Sequence, residues 1–381
     1  MEPAVCYLEG PDTLLPPQTD PSMSTPGSRQ ATSRCDVSPS HPGGTVDRPL
    51  VDSFGRRHTS LRISITDRCN IRCVYCMPAT DVEFLPRAEL LSFEEITRLA
   101  KLLVGRSGFD DIRLTGGEPL VRRDCDRLVA MLAVIPGLRD LSMTTNGLLL
   151  AENDWAKRLR TAGLKRLNVS IDSVDEAVFQ KITRRQGADR VIAGVDAAIS
   201  AGFDTIKLNA LAIRGISETE LSGLAKLAAH RGVALRLIEY MPLDADRAWQ
   251  QNKVLTGQEC LKILESQFGP VEAIERDHES SPAESFRITI DGRPLSLGII
   301  RSVSRPFCQQ CNRLRLTADG AIRNCLFART ETPIRDALRG GASDDELLDK
   351  IESAVSDKRA SHGMDSSDFQ PPDRAMYAIG G

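Results

Sequence analysis

The stretch LRISITDRCNIRCVYCMP, residues 61–78, joins an apolar, β-branched run to three cysteines, Cys69, Cys73 and Cys76, and decides how the rest of the chain is read. Leu61 to Thr66 reads as a strand, and the cysteines follow at its C-terminal end. Three thiolates cannot close a four-iron cluster, so one iron held there would keep an open position where a small molecule can coordinate and react.

From about Val51 to Met241 short apolar or β-branched runs alternate with helical patterns. The first run is followed by SFEEITRLAKLLVG (92–105), whose Ser92 and Glu95 have the spacing of a capping box. DIRLT (111–115) precedes a helix from about Asp124, LRDLSMTT (138–145) a helix near Trp155, and RLNVSI (166–171) helical segments to about residue 201. TIKLNALAI (205–213), a helix from Ser217 and ALRLIEYM (234–241) end the series. Six β/α units predict a parallel sheet with helices outside it, either a closed barrel or an incomplete (β/α)6 barrel of the TIM type, whose site lies at the C-terminal strand ends. Those ends carry the cysteines, TGGEP (115–119), TTNG (144–147), SID (170–172) and EYMP (239–242). TTNG alone reads as a turn, and the others have similarly plain readings. Their joint placement predicts one shared pocket.

Composition sets the outer bounds. A chain of 381 residues with 41% hydrophobic content can bury one large core and a smaller appendix. A net charge of −3 without a basic block argues against a general nucleic-acid binder, and no apolar run is long enough to span a bilayer. Of ten cysteines, six lie in two tight groups, which points to metal rather than to disulfides. Cys6, Cys35, Cys125 and Cys260 are scattered and receive no role. The opening residues, as in LLPPQTDPSMSTPGSRQ (14–30), are too poor in periodic apolar positions to pack. Residues 1–50 are therefore expected to be a disordered extension, 51–243 the barrel and 244–381 a C-terminal region. Glu2, Glu9 and Asp12 oppose a transit-peptide reading of the extension.

The second cysteine group lies in FCQQCNRLRLTADGAIRNCLF (307–327), as Cys308, Cys311 and Cys325. A structural zinc usually takes four ligands, and in sequence the nearest histidines, His278 and His362, are distant. Three ligands again point to an open iron, with zinc as the alternative. Arg62, Lys207 and Arg236 interrupt apolar strands, and a charge on a barrel's inner face needs a partner.

Taken with IRLTGGEP (112–119) and the terminal Gly380-Gly381, these motifs resemble those of the GTP 3′,8-cyclases, the radical S-adenosylmethionine (SAM) enzymes that begin molybdenum cofactor biosynthesis. The likeness covers about Asp52 to Gly381. Its first cysteine triad is shared by the whole superfamily, and the C-terminal cysteine motif is the specific part. The resemblance implies a partial barrel extended by a region with a second cluster, and conversion of GTP to (8S)-3′,8-cyclo-7,8-dihydroguanosine 5′-triphosphate. It implies two 4Fe-4S clusters, one on Cys69, Cys73 and Cys76 and one on Cys308, Cys311 and Cys325. SAM would be lined by Tyr75, Gly117, Ser170 and Met241. GTP would be met by Arg62, Arg113, Thr144, Lys207, Arg236, Arg313 and Arg315, and the tail Gly380-Gly381 would reach into the active site. No acid or base residue is assigned. A homodimer, an electron donor of the flavodoxin or ferredoxin type and a downstream cyclic pyranopterin monophosphate synthase are likewise implied. The setting would be cytoplasmic, or the mitochondrial matrix in a eukaryote. One departure stands out: the family usually has Lys two residues before the Arg of IRxTGGEP, and this chain has Asp111. The alternatives are a radical SAM peptide-modifying enzyme with an auxiliary cluster and a non-catalytic iron–sulfur or zinc-binding module.

Overall fold

The computed structural model describes residues 46–275, 280–364 and 366–380. Most of the expected N-terminal extension, Cys6, Cys35, His278 and Gly381 lie outside them.

Six strands, β1 (Ser60–Ser64), β2 (Asp111–Thr115), β3 (Asp140–Thr145), β4 (Arg166–Ser170), β5 (Thr205–Ala212) and β6 (Ala234–Glu239), run parallel in chain order. Between them lie α1 (Phe93–Ser107), α2 (Cys125–Ala133), α3 (Trp155–Thr161), α4 (Glu176–Thr183), α5 (Ala188–Ser200) and α6 (Ser217–Arg231). The expected incomplete (β/α)6 barrel is thus the observed core. The Ser92–Glu95 capping box forms as read, with both reciprocal bonds present at the start of α1.

The C-terminal region adds to both edges of this sheet. After α7 (Gly257–Phe268), β7 (Glu272–Ile274), β8 (Glu284–Ile290) and β9 (Arg293–Ile300) form an antiparallel meander, and β9 lies parallel beside β6. β10 (Arg313–Leu316) pairs in parallel with β1 and continues into antiparallel β11 (Ala321–Arg323) and β12 (Thr332–Pro333). Three helices follow, α8 (Arg335–Arg339), α9 (Asp344–Ser356) and the single turn α10 (Met376–Ile379). The result is one twelve-stranded sheet.

Alternation sorts the side chains. On β5, Ile206, Leu208, Ala210 and Ala212 are buried in the core, while Lys207 and Asn209 are only partly buried. On β1, Leu61 and Ile63 are wholly buried and Arg62 faces the cavity between them. Cys125 and Cys260 are buried thiols in the core. Among the described residues no helix is long and apolar enough to cross a membrane.

Candidate active site

Cys69, Cys73 and Cys76 all face a cavity of about 420 Å³, and none is in a disulfide. Burial pushes the Cys69 thiol up to about 11, helped by Glu118, and the Cys76 thiol up to about 12, helped by Cys69. Burial, then Asp172 and the other two thiols, holds Cys73 well above the usual range. Three buried thiols that disfavour one another's ionisation form a site short of positive charge. Iron fits that deficit, because a metal-bound thiol is deprotonated outright. Among the described residues no three His, Cys, Asp or Glu side chains close around a single ion. A multi-iron cluster spans more than one ion and draws its thiolates from farther apart.

Tyr75, Gly117, Ser170 and Met241 line the same cavity. The Tyr75 hydroxyl donates to Asp172 at 2.6 Å, and the other Asp172 oxygen accepts from the Leu211 N–H at 2.8 Å. Gly117 also allows a close approach of backbone to backbone. A Cβ there would lie 2.3 Å from the Arg68 carbonyl oxygen, so the missing side chain lets two strand-end loops meet. Those loops are stitched by Gly117 N–H to Thr66 O at 2.7 Å and Glu118 N–H to Arg68 O at 2.8 Å. The Glu118 carboxylate accepts from the Thr145 hydroxyl and the Asn146 N–H, each at 2.7 Å, and from the Leu120 N–H at 3.0 Å. Burial pushes Glu118 up to about 7 against these donors. Asn146 in turn donates to Asn70 at 2.7 Å and faces the Cys69 sulfur at 3.8 Å. Asp172, Glu118 and Asn146 went unassigned in sequence, although each sits in one of the strand-end motifs.

The basic residues gather on the same wall. In successive strands Arg315, Arg62, Arg113, Ser142 and Arg166 stand opposite one another, and Arg313, Ser60, Asp111 and Asp140 form the next row. Thr144, Lys207 and Arg236 complete the lining. Burial, then Arg62, with Arg236 and Arg313 adding, drives Arg113 well below the usual guanidinium range. Burial and then Arg313 and Arg62 bring Arg315 down to about 9. Such crowding without enough counter-charge is what a polyanion would relieve. Arg166, also on this wall and paired to Asp140, was not singled out in sequence; stepping back by twos from Ser170 along β4 finds it.

Asp111 faces the cavity rather than turning away. It accepts from the Ser60 hydroxyl at 2.6 Å and lies 3.4 Å from the Arg62 guanidinium. Burial raises its pKa, but Arg62 and Arg113 outweigh that and leave it below the usual carboxylate value.

Cys308, Cys311 and Cys325 do not themselves line the cavity, but their chain neighbours Phe307, Asn312, Arg313 and Leu326 do. Burial raises the Cys308 thiol, and Cys325 and Cys311 raise it further. Burial also raises Cys311, but Lys358 and Arg313 together overcome it and leave this thiol below its ordinary value. His362, distant in sequence, arrives beside Cys308 through its backbone N–H. Its ring is already engaged: Nδ1 accepts from the Met364 N–H and Nε2 lies 3.1 Å from the Ser302 carbonyl. It is not placed as a fourth zinc ligand.

The C-terminal turn crosses between the two halves. Met376 and Tyr377 line the cavity, and the Tyr377 N–H bonds the Cys76 sulfur. Arg315 donates to the Gly380 carbonyl. Gly380 has φ of 78°, and a Cβ on it would lie 2.9 Å from Ser64 Cβ.

Residues 63–228 match the model of the radical SAM superfamily, and residues 233–364 that of the molybdenum cofactor synthesis C-terminal region. A GTP 3′,8-cyclase of Rhodopirellula baltica is 65% identical over 87% of this chain and 92% of its own length. One from Paenarthrobacter nicotinovorans is 45% identical over 87% of this chain and 97% of its own. The crystal structure of Streptococcus suis SuiB bound to S-adenosylmethionine shares the fold, with a TM-score of 0.52 at 14% identity over 79% of this chain and 69% of that one. With relatives this similar along most of its length, the chain belongs to the GTP 3′,8-cyclase family of the radical SAM superfamily, which is defined by S-adenosylmethionine and an iron–sulfur cluster.

Proposed function

We propose that this chain cyclises GTP to (8S)-3′,8-cyclo-7,8-dihydroguanosine 5′-triphosphate, the first step of molybdenum cofactor biosynthesis. The observation that carries the reading is the row of crowded guanidiniums sharing one cavity with the first cysteine triad. Cys69, Cys73 and Cys76 would hold a 4Fe-4S cluster, with Tyr75, Gly117, Ser170 and Met241 around SAM. When bound, that pair supplies the radical chemistry that removes the ribose 3′ hydrogen. The chain's own residues then position the substrate. Arg62, Arg113, Thr144, Lys207, Arg236, Arg313 and Arg315 would grip the nucleotide, the arginines presenting forked donors to phosphate oxygens. Cys308, Cys311 and Cys325 would hold a second cluster behind the wall at Phe307, Asn312 and Leu326, where the base would lie. On this reading residues 51–243 make the radical and supply Arg62, Arg113, Thr144, Lys207 and Arg236 to the nucleotide, and residues 244–381 add Arg313, Arg315 and the second cysteine group. A flavodoxin- or ferredoxin-type reductant, a homodimer and a downstream cyclic pyranopterin monophosphate synthase belong to the same proposal.

A peptide substrate would not bring the several negative charges that the guanidinium row, partly answered by Asp111 and Asp140, can still accept, and a zinc module would have no use for it. Anaerobic incubation of the reconstituted protein with SAM, a strong reductant and GTP is expected to yield 5′-deoxyadenosine together with a cyclised GTP product. Formation of 5′-deoxyadenosine with GTP returned intact contradicts the assignment.

Asp111 competes with phosphate for Arg62. Asp111→Lys is expected to tighten GTP binding about tenfold, equivalent to ~1.4 kcal/mol, with cluster content unchanged. The same change should lower the melting temperature without GTP, because it adds a cation to a crowded row. Equilibrium dialysis checks the first effect, and an unchanged Kd means that this row does not meet the phosphates.

Gly380 supplies a conformation that other residues pay ~1–2 kcal/mol to adopt, in a seat that has no room for a methyl group. Gly380→Ala is expected to cut cyclised product about tenfold with little change in melting temperature. Full activity would dispose of a working role for the tail.

A further inference from the structure

Lys358 follows α9 and is only 4% exposed, far more buried than a lysine ordinarily is. Its Nζ lies 3.0 Å from the Arg313 carbonyl oxygen, 3.4 Å from the Cys311 carbonyl oxygen and 3.5 Å from the Cys311 sulfur. No carboxylate among the described residues stands within ion-pair distance of it. Asp52, the acid of this corner, is engaged by Arg56 at 2.6 Å and by His58 at 3.3 Å. Arg56 itself clamps the second cysteine group by donating to the Cys308 carbonyl at 2.7 Å. A buried ammonium needs compensating negative charge. The groups that receive its protons are two carbonyls and one sulfur, so the charge it answers is at the cysteines.

We infer that Lys358 is a positioning residue for the second cluster, a fixed cation hydrogen-bonded to the Cys311 sulfur that sets the cluster's reduction potential above the value it would otherwise have. The inference rests on the reading that Cys308, Cys311 and Cys325 hold an iron–sulfur cluster. Reduction adds negative charge to such a cluster, and both nearby charge and hydrogen bonds to its sulfurs tune the potential. A cation donating to a ligand sulfur therefore favours the reduced form. Lys358 follows α9 and is not among the residues that line the cavity, so its effect passes through Cys311 rather than through contact with the nucleotide.

The test is a redox titration, followed by electron paramagnetic resonance, of the full-length protein with its iron–sulfur sites reconstituted. Wild type, Lys358→Met and Lys358→Arg are compared, and the Cys73→Ser protein identifies which signal belongs to which cysteine group. Lys358→Met keeps an unbranched side chain one atom shorter and removes the charge. The second cluster's midpoint is expected to move to a more negative potential in that variant, with the first cluster's unchanged, and Lys358→Arg is expected to restore it. Equal midpoints in wild type and Lys358→Met overturn the inference, as does an Arg variant that shifts like the Met one. If Lys358→Met loses the second cluster's iron, retention by Lys358→Arg supports the charge role, and loss by both assigns the lysine to packing and overturns it. A wild-type protein with iron at the first cysteines only removes the second-cluster reading itself, and the inference with it.

Discussion

Cys73→Ser is expected to abolish SAM cleavage, whereas Cys311→Ser is expected to retain cleavage and lose the GTP-derived product. The difference follows from where the two sulfurs stand. Cys73 is buried in the cavity wall, near Tyr75 and Asp172, and burial, with Asp172 and the other two thiols, raises its pKa well above the usual thiol range, which a bound metal cation would offset. A serine hydroxyl is a far poorer ligand for iron at neutral pH, so the first cluster and all chemistry that depends on it go together. Cys311 sits behind Phe307 and Asn312, outside the first triad's hydrogen-bond chain of Asn70, Asn146, Glu118 and Thr145. Its loss leaves that chain intact. Measuring 5′-deoxyadenosine and cyclised nucleotide in parallel separates the two outcomes. The same defect in both variants means that the two cysteine groups do not divide the work.

Arg113→Met is expected to weaken GTP binding by about tenfold to a hundredfold, the ~1.5–3 kcal/mol of a hydrogen bond to a charged group. Arg113 is a compromised cation: burial lowers its pKa, and Arg62, Arg236 and Arg313 lower it further against the pull of Asp111. In the absence of nucleotide it is a cost to the fold, and with nucleotide it is a donor to phosphate. The two readouts should therefore move in opposite directions, with the melting temperature of the nucleotide-free protein level or raised and the Kd for GTP worse. A fall in both would make Arg113 a structural residue. Thermal unfolding and equilibrium dialysis on the same preparation decide it.

Much of this site is legible in the chain because its signals are local. The Ser92–Glu95 capping box, the two-residue period of β5 and the motifs at the strand ends each lie within a few residues. Period two also puts Arg62, Lys207 and Arg236 on the cavity side before any partner is known. The remaining features are set by pairings between distant parts of the chain. β10 lies beside β1, so Arg313 and Arg315 fall in register with Ser60 and Arg62, about 250 residues away in sequence. Nothing in RLRL itself names that neighbour. Likewise Lys358 and His362 reach the second cysteines only because α9 packs where it does, and local spacing had set His362 aside as too distant. Gly117 shows a subtler limit. Gly117 was singled out from its motif, but the contact that leaves no room for a side chain there, the Arg68 carbonyl, belongs to another loop.

The central claim is that one cavity has two halves, a SAM half at Cys69, Cys73 and Cys76 and a nucleotide half backed by Cys308, Cys311 and Cys325. Electron paramagnetic resonance of the reduced, reconstituted protein, with GTP or SAM added singly, tests it most directly. GTP is predicted to perturb the signal that survives in Cys73→Ser, and SAM the signal that survives in Cys311→Ser. A GTP response confined to the first cysteine group, or no response in either, contradicts the account.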